Sequence, residues 1–215
     1  MSIPFIAVEG PIGVGKTSLS KTIAESQDFR LLKEIVDENP FLTKFYEDIE
    51  AWSFQTEMFF LCNRYKQLSD IKQEINVGET SVVADYHLFK NLIFAKRTLL
   101  PSEYEKYEEI YTILTKNMPI PNIIVYLYAS QETLMKRIAL RGRDFEKNMD
   151  PAYLQQLSED YHTFIADFEA RHPGIPVLRF NGDELDFVNN EDDLAYMLQE
   201  IDKAIQKGAR ENELT

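Results

Sequence analysis

Short runs of branched aliphatic and aromatic residues alternate with longer stretches whose apolar positions carry helical spacing. Five such runs, over residues 3–8, 30–35, 81–84, 122–128 and 176–180, lack polar alternation, which predicts strands covered on both faces. Buried strands separated by helical segments need crossover connections, so the reading is an α/β fold with a parallel sheet. Helices are predicted over 17–25, over 39–75 with a break near 50–53, and over 192–207. Ser102 and Glu105 have the spacing of a capping box, opening a helix that carries the stripe Tyr104, Tyr107, Tyr111 and Leu114. That stripe reads as core or subunit contact. Pro119 and Pro121 stop this helix, and Ser130 can cap the next, which runs toward Arg141-Gly142-Arg143. No repeat, linker or low-complexity segment interrupts the 215 residues, so one domain over 1–215 is expected.

Charge and cysteine usage narrow the class. The chain has 36 acidic against 23 basic side chains, a formal net charge of −13, which argues against binding a nucleic-acid backbone. The longest apolar run is far too short to span a bilayer, and no membrane contact is expected. The first segment lacks basic residues and is interrupted by Glu9, so no signal peptide is expected. The single cysteine, Cys62, fits a reducing compartment, and three unclustered histidines do not suggest zinc. The expectation is a soluble cytoplasmic protein.

The decisive segment is Gly10-Pro11-Ile12-Gly13-Val14-Gly15-Lys16-Thr17, followed by Ser18. It matches G-x-x-x-x-G-K-[ST] and lies between a predicted strand and a predicted helix, the context that gives the motif meaning. Gly13 and Gly15 let backbone N–H groups converge on a phosphate, and the next helix adds its N-terminal dipole. Lys16 puts a positive charge near the β- and γ-phosphates, and the Thr17 hydroxyl can join a Mg²⁺ shell. The motif identifies nucleotide binding and leaves the reaction open.

Other positions bear on that reaction. No N-K-x-D element is present to read a guanine base as switch GTPases do. Arg137 and Arg141 are four apart and share a helix face. With Arg143 they place cations beside a glycine, able to close over a transferring phosphoryl group. The plainer alternative is a basic helix end favoured by its dipole. Glu34 lies at the end of the second strand, where α/β proteins bind ligands. There it can accept a proton from an attacking hydroxyl. Asp85 ends the third strand, the placement of a residue near Mg²⁺, although a helix cap is equally consistent. Gln55 stands in an apolar helix, where its amide can read a nucleobase edge or bond to backbone. Met58, Phe59 and Phe89 can sandwich a flat ring or form core.

Together these residues resemble the deoxyribonucleoside kinase family, and most closely its bacterial deoxyguanosine-directed branch. The likeness covers Gly10–Thr17, Glu34-Ile-Val-Asp-Glu-Asn-Pro40, Trp52-Ser-Phe-Gln55, Asp85-Tyr86-His87 and Arg137-x-x-x-Arg141-Gly142-Arg143. The resemblance implies a P-loop kinase fold with a five-stranded parallel sheet, an arginine lid near 137–148, and a homodimer joined through helices. It implies that Glu34 is the general base for the substrate 5′-hydroxyl and that Gln55 reads the base. Tyr46 and Glu146 are similar to residues that hold the 3′-hydroxyl, Arg137 to one stacked on the donor adenine, and Arg141 and Arg143 to phosphate-binding lid arginines. Asp186-Phe187 is similar to a loop bordering the donor base.

One departure stands out. Many members carry an arginine after the strand-end acid, where this chain has Tyr86, and Asn91 stands where several have an aspartate facing the base. Arg64 is a candidate for the missing cation. It lies nine residues beyond Gln55, about 13–14 Å along an ideal helix, so it serves only if the pocket extends along that helix; pairing with surface acids is the alternative.

The expected function is therefore Mg²⁺- and ATP-dependent 5′-phosphorylation of a purine deoxyribonucleoside, with deoxyguanosine favoured. A deoxyadenosine or broad-specificity kinase, a nucleoside monophosphate kinase and a regulatory nucleotide-binding module remain alternatives.

Overall fold

The computed structural model describes residues 3–211. All five expected strands are present: β1 (Phe5–Glu9), β2 (Arg30–Leu32), β3 (Val82–Ala84), β4 (Ile123–Tyr128) and β5 (Val177–Asn181). They form one parallel sheet in the order β2-β3-β1-β4-β5. β1 and β3 are buried at every position, and β4 at all but its last, as unalternating apolar runs require. The second strand is shorter than expected. After Leu32 the backbone leaves the sheet, and the Glu34 N–H donates instead to the Asp85 side chain (2.6 Å).

The chain leaves β1 toward one side of the sheet for β2 and β3, then crosses to the other for β4 and β5. Such a reversal opens a crevice at the carboxyl ends of the strands, and the glycine-rich loop leaves β1 there. α1 (Lys16–Gln27) packs on β1, β2 and β3, while α8 (Glu191–Glu211) packs on β4 and β5.

The expected helix over 39–75 is two helices, α2 (Leu42–Glu47) and α3 (Ile49–Asn76). They part at Asp48, earlier than the expected break. Asp48 is extended and its carboxylate accepts from Ala51 N at 3.1 Å, an N-cap that terminates one helix by starting the next. α5 (Pro101–Thr115) begins one residue before Ser102. Pro101 occupies its first turn, and Glu103 rather than Glu105 accepts from the preceding backbone, Leu100 N, at 3.4 Å. Tyr107 is fully buried, with Tyr104, Tyr111 and Leu114 packed against the same cluster, the core role expected of the stripe. Ser130 caps α6 (Gln131–Arg141) through Thr133 N, and Gly142 ends it in the left-handed region at φ 66°. Two helices went unread in the sequence. α4 (Lys90–Thr98) is short, and α7 (Pro151–Arg171) buries Tyr153, Leu157, Tyr161, Ile165 and Phe168 at helical spacing.

Candidate active site

At the carboxyl edge of the sheet lies a cavity of about 810 Å³, large enough for two small ligands side by side. One wall is the loop from β1 into α1. Gly15 has φ +108°, and a Cβ there would lie 2.8 Å from the Phe187 ring, so only glycine combines this turn with that packing. Lys16 Nζ donates to the carbonyls of Gly10 (2.8 Å) and Pro11 (2.9 Å). Burial, with the charge of nearby Lys90, pushes its pKa down to about 7. The Thr17 hydroxyl donates to Asp85 Oδ2 at 2.6 Å. Asp85 is buried, and its other oxygen holds the Glu34 backbone. This carboxylate thereby ties the glycine-rich loop, β3 and the segment after β2 together.

Glu34 is the most heavily charged point of the site. Arg64 donates to Oε1 through Nε at 2.9 Å and also through Nη2. Lys90 Nζ lies 2.9 and 2.8 Å from Oε1 and Oε2. Burial alone would raise the Glu34 pKa, but the Lys90 and Arg64 charges overcome it and hold the carboxyl well below the usual range. Arg64 therefore reaches the site, because the cavity does extend along α3. Lys90 is a second cation there, and no motif in the sequence pointed to it. Its signal was faint: a lysine in an apolar stretch, five residues past Asp85.

The arginine segment faces these groups. Arg141 makes a forked pair with Glu146 (Nη2 to Oε1 2.6 Å, Nε to Oε2 3.1 Å), and Arg143 lies 3.8 Å from the same carboxylate. Tyr46 stacks on Phe145 with ring centroids 6.2 Å apart. Burial first, then the Glu146 charge, raises the Tyr46 pKa, so its hydroxyl keeps its proton and can donate. Arg137 is held between the carbonyls of Val14 (3.1 Å) and Gly182 (2.8 Å). Asp186 and Phe187 border the cavity, with the Phe187 ring against Gly15.

Thus Ile12 to Ser18, Glu34, Tyr46, Arg64, Asp85, Arg137, Arg141, Arg143, Glu146, Asp186 and Phe187 are brought together, with Gly10 and Pro11 just behind the wall as acceptors for Lys16. Six expected substrate-side residues are not, among them Phe59, which packs edge-on to Phe60 with ring centroids 6.0 Å apart. Gln55 is exposed on the far side of α3, because two residues turn a helix by about 200° from the face carrying Glu57. Met58 packs into the cluster under α5. Tyr86 is buried with its hydroxyl donated to Gln67 (2.7 Å). Phe89 stacks on Phe164 at 5.1 Å in the core. Asn91 is wholly buried behind the wall, donating to the Tyr107 hydroxyl at 2.8 Å.

The helix face that does meet the cavity carries Thr56, Glu57, Phe60 and Arg64. Glu57 is 2% exposed, and its Oε2 has no hydrogen-bond partner among the described residues; the same holds for Arg64 Nη1 and Thr56 Oγ1. Orphaned buried polar groups are costly and mark a place where something else binds.

A parallel sheet of this order, with a glycine-rich phosphate loop and a carboxylate facing it across a cavity, defines a P-loop protein of the kinase fold. The deoxynucleoside kinase family model matches residues 6–206, and the chain belongs to that family. A deoxyguanosine kinase of Bacillus subtilis is 48% identical over 94% of this chain and 98% of its own. A deoxyadenosine/deoxycytidine kinase of the same organism is 31% identical, over 93% and 92%. Among solved structures, deoxyadenosine kinase from M. mycoides with bound dATP superposes with a TM-score of 0.77 at 25% identity, covering 92% of this chain and 98% of its own.

Proposed function

We propose that this chain transfers the γ-phosphoryl group of ATP to the 5′-hydroxyl of deoxyguanosine, giving dGMP and ADP. The observation that carries the base assignment is the unpartnered Oε2 of the Glu57 carboxylate, on the same cavity wall as the unpartnered Arg64 Nη1. Guanine offers two adjacent N–H donors, at N1 and N2, to a carboxylate, and acceptors at O6 and N7 to a guanidinium. Adenine presents an acceptor at N1, which an ionised carboxylate repels. The base-reading role thus passes from Gln55 to Glu57. The 48% likeness to a deoxyguanosine kinase supports the same reading.

In the reaction, Glu34 takes the proton of the 5′-hydroxyl as its oxygen bonds to the γ-phosphorus. The bond from that phosphorus to the β,γ-bridging oxygen breaks, and ADP leaves. Lys16 and the arginines at 141 and 143 neutralise the charge on the transferring group. Residues 137–148 act as the lid, Arg137 with Asp186 and Phe187 borders the donor base, and Tyr46 with Glu146 holds the 3′-hydroxyl. The Thr17 hydroxyl and the Asp85 carboxylate form a hard oxygen pair suited to magnesium. No cluster of three or more metal-binding side chains exists among the described residues, so these two would share the ion with the donor phosphates, whose charge it would screen. The enzyme works as a single catalytic domain in a cytoplasmic homodimer.

The test is substitution at the base. Glu57→Gln supplies an N–H donor to adenine N1 and loses one acceptor for guanine. A site built to bond a polar group rejects a partner lacking it by as much as about 10⁴-fold. The ratio of kcat/KM for deoxyguanosine over deoxyadenosine is expected to fall by at least about 10²-fold, and an unchanged ratio removes Glu57 from the base site.

A second observation shapes the deoxyadenosine activity. Burial pushes the Glu57 pKa up to about 7, against the opposing charges of Arg64 and Lys90 and with the help of Glu34. Above pH 7 the group is an acceptor-only carboxylate; below it, the added proton donates to adenine N1. Selectivity for deoxyguanosine is therefore expected to rise between pH 6 and pH 8, measured as the same ratio across that range.

A further inference from the structure

The geometry points to Lys90 as a catalytic residue: the cation that leaves Glu34 when the substrates bind and neutralises charge on the acceptor side of the transferring phosphoryl group. The inference rests on Glu34 facing the acceptor hydroxyl, as proposed above.

Phosphoryl transfer spreads negative charge over the oxygens between donor and acceptor, and cations must meet it there. On the donor side Lys16 and the arginine segment serve. On the acceptor side the two residues that follow Asp85 supply nothing. The Tyr86 hydroxyl is engaged with Gln67. The His87 ring packs against Phe89 and lies 3.2 Å from the Pro119 carbonyl. Two cations remain, Arg64 and Lys90, and both sit on Glu34.

The two are not equally committed to Glu34. Arg64 holds it through two nitrogens, whereas the Lys90 charge also acts on the buried Glu9 and Glu57 carboxylates. The guanidinium approaches Oε1 with two nitrogens, lies over the Phe60 ring at 4.7 Å, and projects from the middle of a 28-residue helix. It is fixed. Lys90 also lies over a ring, Phe94 at 5.3 Å, but is otherwise held differently. It opens α4, its Nζ bridges both carboxylate oxygens at 2.8 and 2.9 Å, and it faces the same cavity as Lys16 and Thr17. Its ammonium is a point charge on a flexible four-carbon stem that can swing without breaking a fork. It is also close enough to Lys16 for the two charges to oppose each other. Arrival of a triphosphate relieves that opposition and draws Lys90 off Glu34, whose freed oxygen then faces the 5′-hydroxyl. After transfer, Lys90 returns to the carboxylate. Atoms and electrons balance as in the reaction above; Lys90 exchanges no proton.

The experiment compares Lys90→Met and Lys90→Arg with the parent enzyme. Steady-state rates with deoxyguanosine and ATP are measured beside the affinity for the complex of ADP, Mg²⁺, aluminium fluoride and deoxyguanosine, a mimic of the transferring phosphoryl group. Lys90→Met is expected to lose about 10²-fold in kcat and a similar factor in affinity for the mimic, while binding deoxyguanosine alone nearly as the parent does. Lys90→Arg, which keeps the charge, is expected to recover much of both losses. A kcat within threefold of the parent overturns the assignment. So does a loss shared equally by deoxyguanosine binding, which would make Lys90 a prop for Glu34. Should Lys90→Met fail to fold, Lys90→Gln carries the same comparison. A parent enzyme that phosphorylates no nucleoside defeats the functional reading itself, whereas an active parent with an indifferent Lys90 defeats only this inference.

Discussion

Glu34→Gln is expected to lower kcat by about 10²–10⁴-fold with little change in the KM for deoxyguanosine. The amide keeps the size of the side chain and an oxygen for Arg64, so the cavity wall stays in place. It cannot take the 5′-hydroxyl proton. Initial rates at saturating ATP with varied deoxyguanosine separate the two parameters. Asp85→Asn is the informative companion. Asp85 is committed to Thr17 at 2.6 Å and to the Glu34 backbone at 2.6 Å, so its loss should disturb ATP and magnesium handling along with the wall. If Glu34→Gln stays active while Asp85→Asn is dead for chemistry alone, the proton acceptor is Asp85 and Glu34 merely positions.

Lys16→Ala is expected to cost at least about 10²-fold in kcat for every nucleoside acceptor. Its ammonium bridges the carbonyls of Gly10 and Pro11 (2.8 and 2.9 Å) and stands at the mouth of the phosphate loop. Truncation therefore removes a charge and loosens the loop that presents backbone N–H groups to the donor. The loss should be uniform across deoxyguanosine, deoxyadenosine and other acceptors, because Lys16 lies on the donor side and touches no base. A panel of nucleosides at fixed ATP checks this. Turnover within a few-fold of the parent, or a loss confined to one acceptor, would remove Lys16 from the phosphate site.

The phosphate loop was legible from eight consecutive residues because its chemistry is local: backbone amides, one ammonium and one hydroxyl, all in a single turn between a strand and a helix. The strands were legible for a related reason. A strand buried on both faces shows as a continuous apolar run, which holds for β1, β3 and β4. The edge strands β2 and β5 are partly exposed, not covered on both faces as expected, and still read as strands from their apolar residues. All five were bounded to within three residues at each end. Arg137, Arg141 and Arg143 were found through their spacing on one helix and its terminal glycine.

Residues on the acceptor side were a different matter. Whether Gln55 or Glu57 meets the cavity depends on how α3 is rotated about its axis, about 100° per residue. That rotation is set by which side of α3 packs against α2, α4 and α5, the last two segments remote from it in sequence. Gln55, implied as the base reader by the likeness of Trp52-Ser-Phe-Gln55, faces away from the cavity. Lys90 was hidden likewise, and Arg64, a candidate cation by its place on the helix, could not be told from a surface residue. Both belong to apolar helical stretches where a lone cation reads as a surface residue, and they meet only because α3 and α4 converge on Glu34, 30 and 56 residues distant in the chain. The composition and local order of residues 3–211 are sufficient for a parallel α/β phosphate-binding sheet. Which face of α3 meets the cavity, and which cations meet Glu34, follow from burial: long-range packing takes Glu57, Arg64 and Lys90 out of water, where each must find a partner in the cavity or in another.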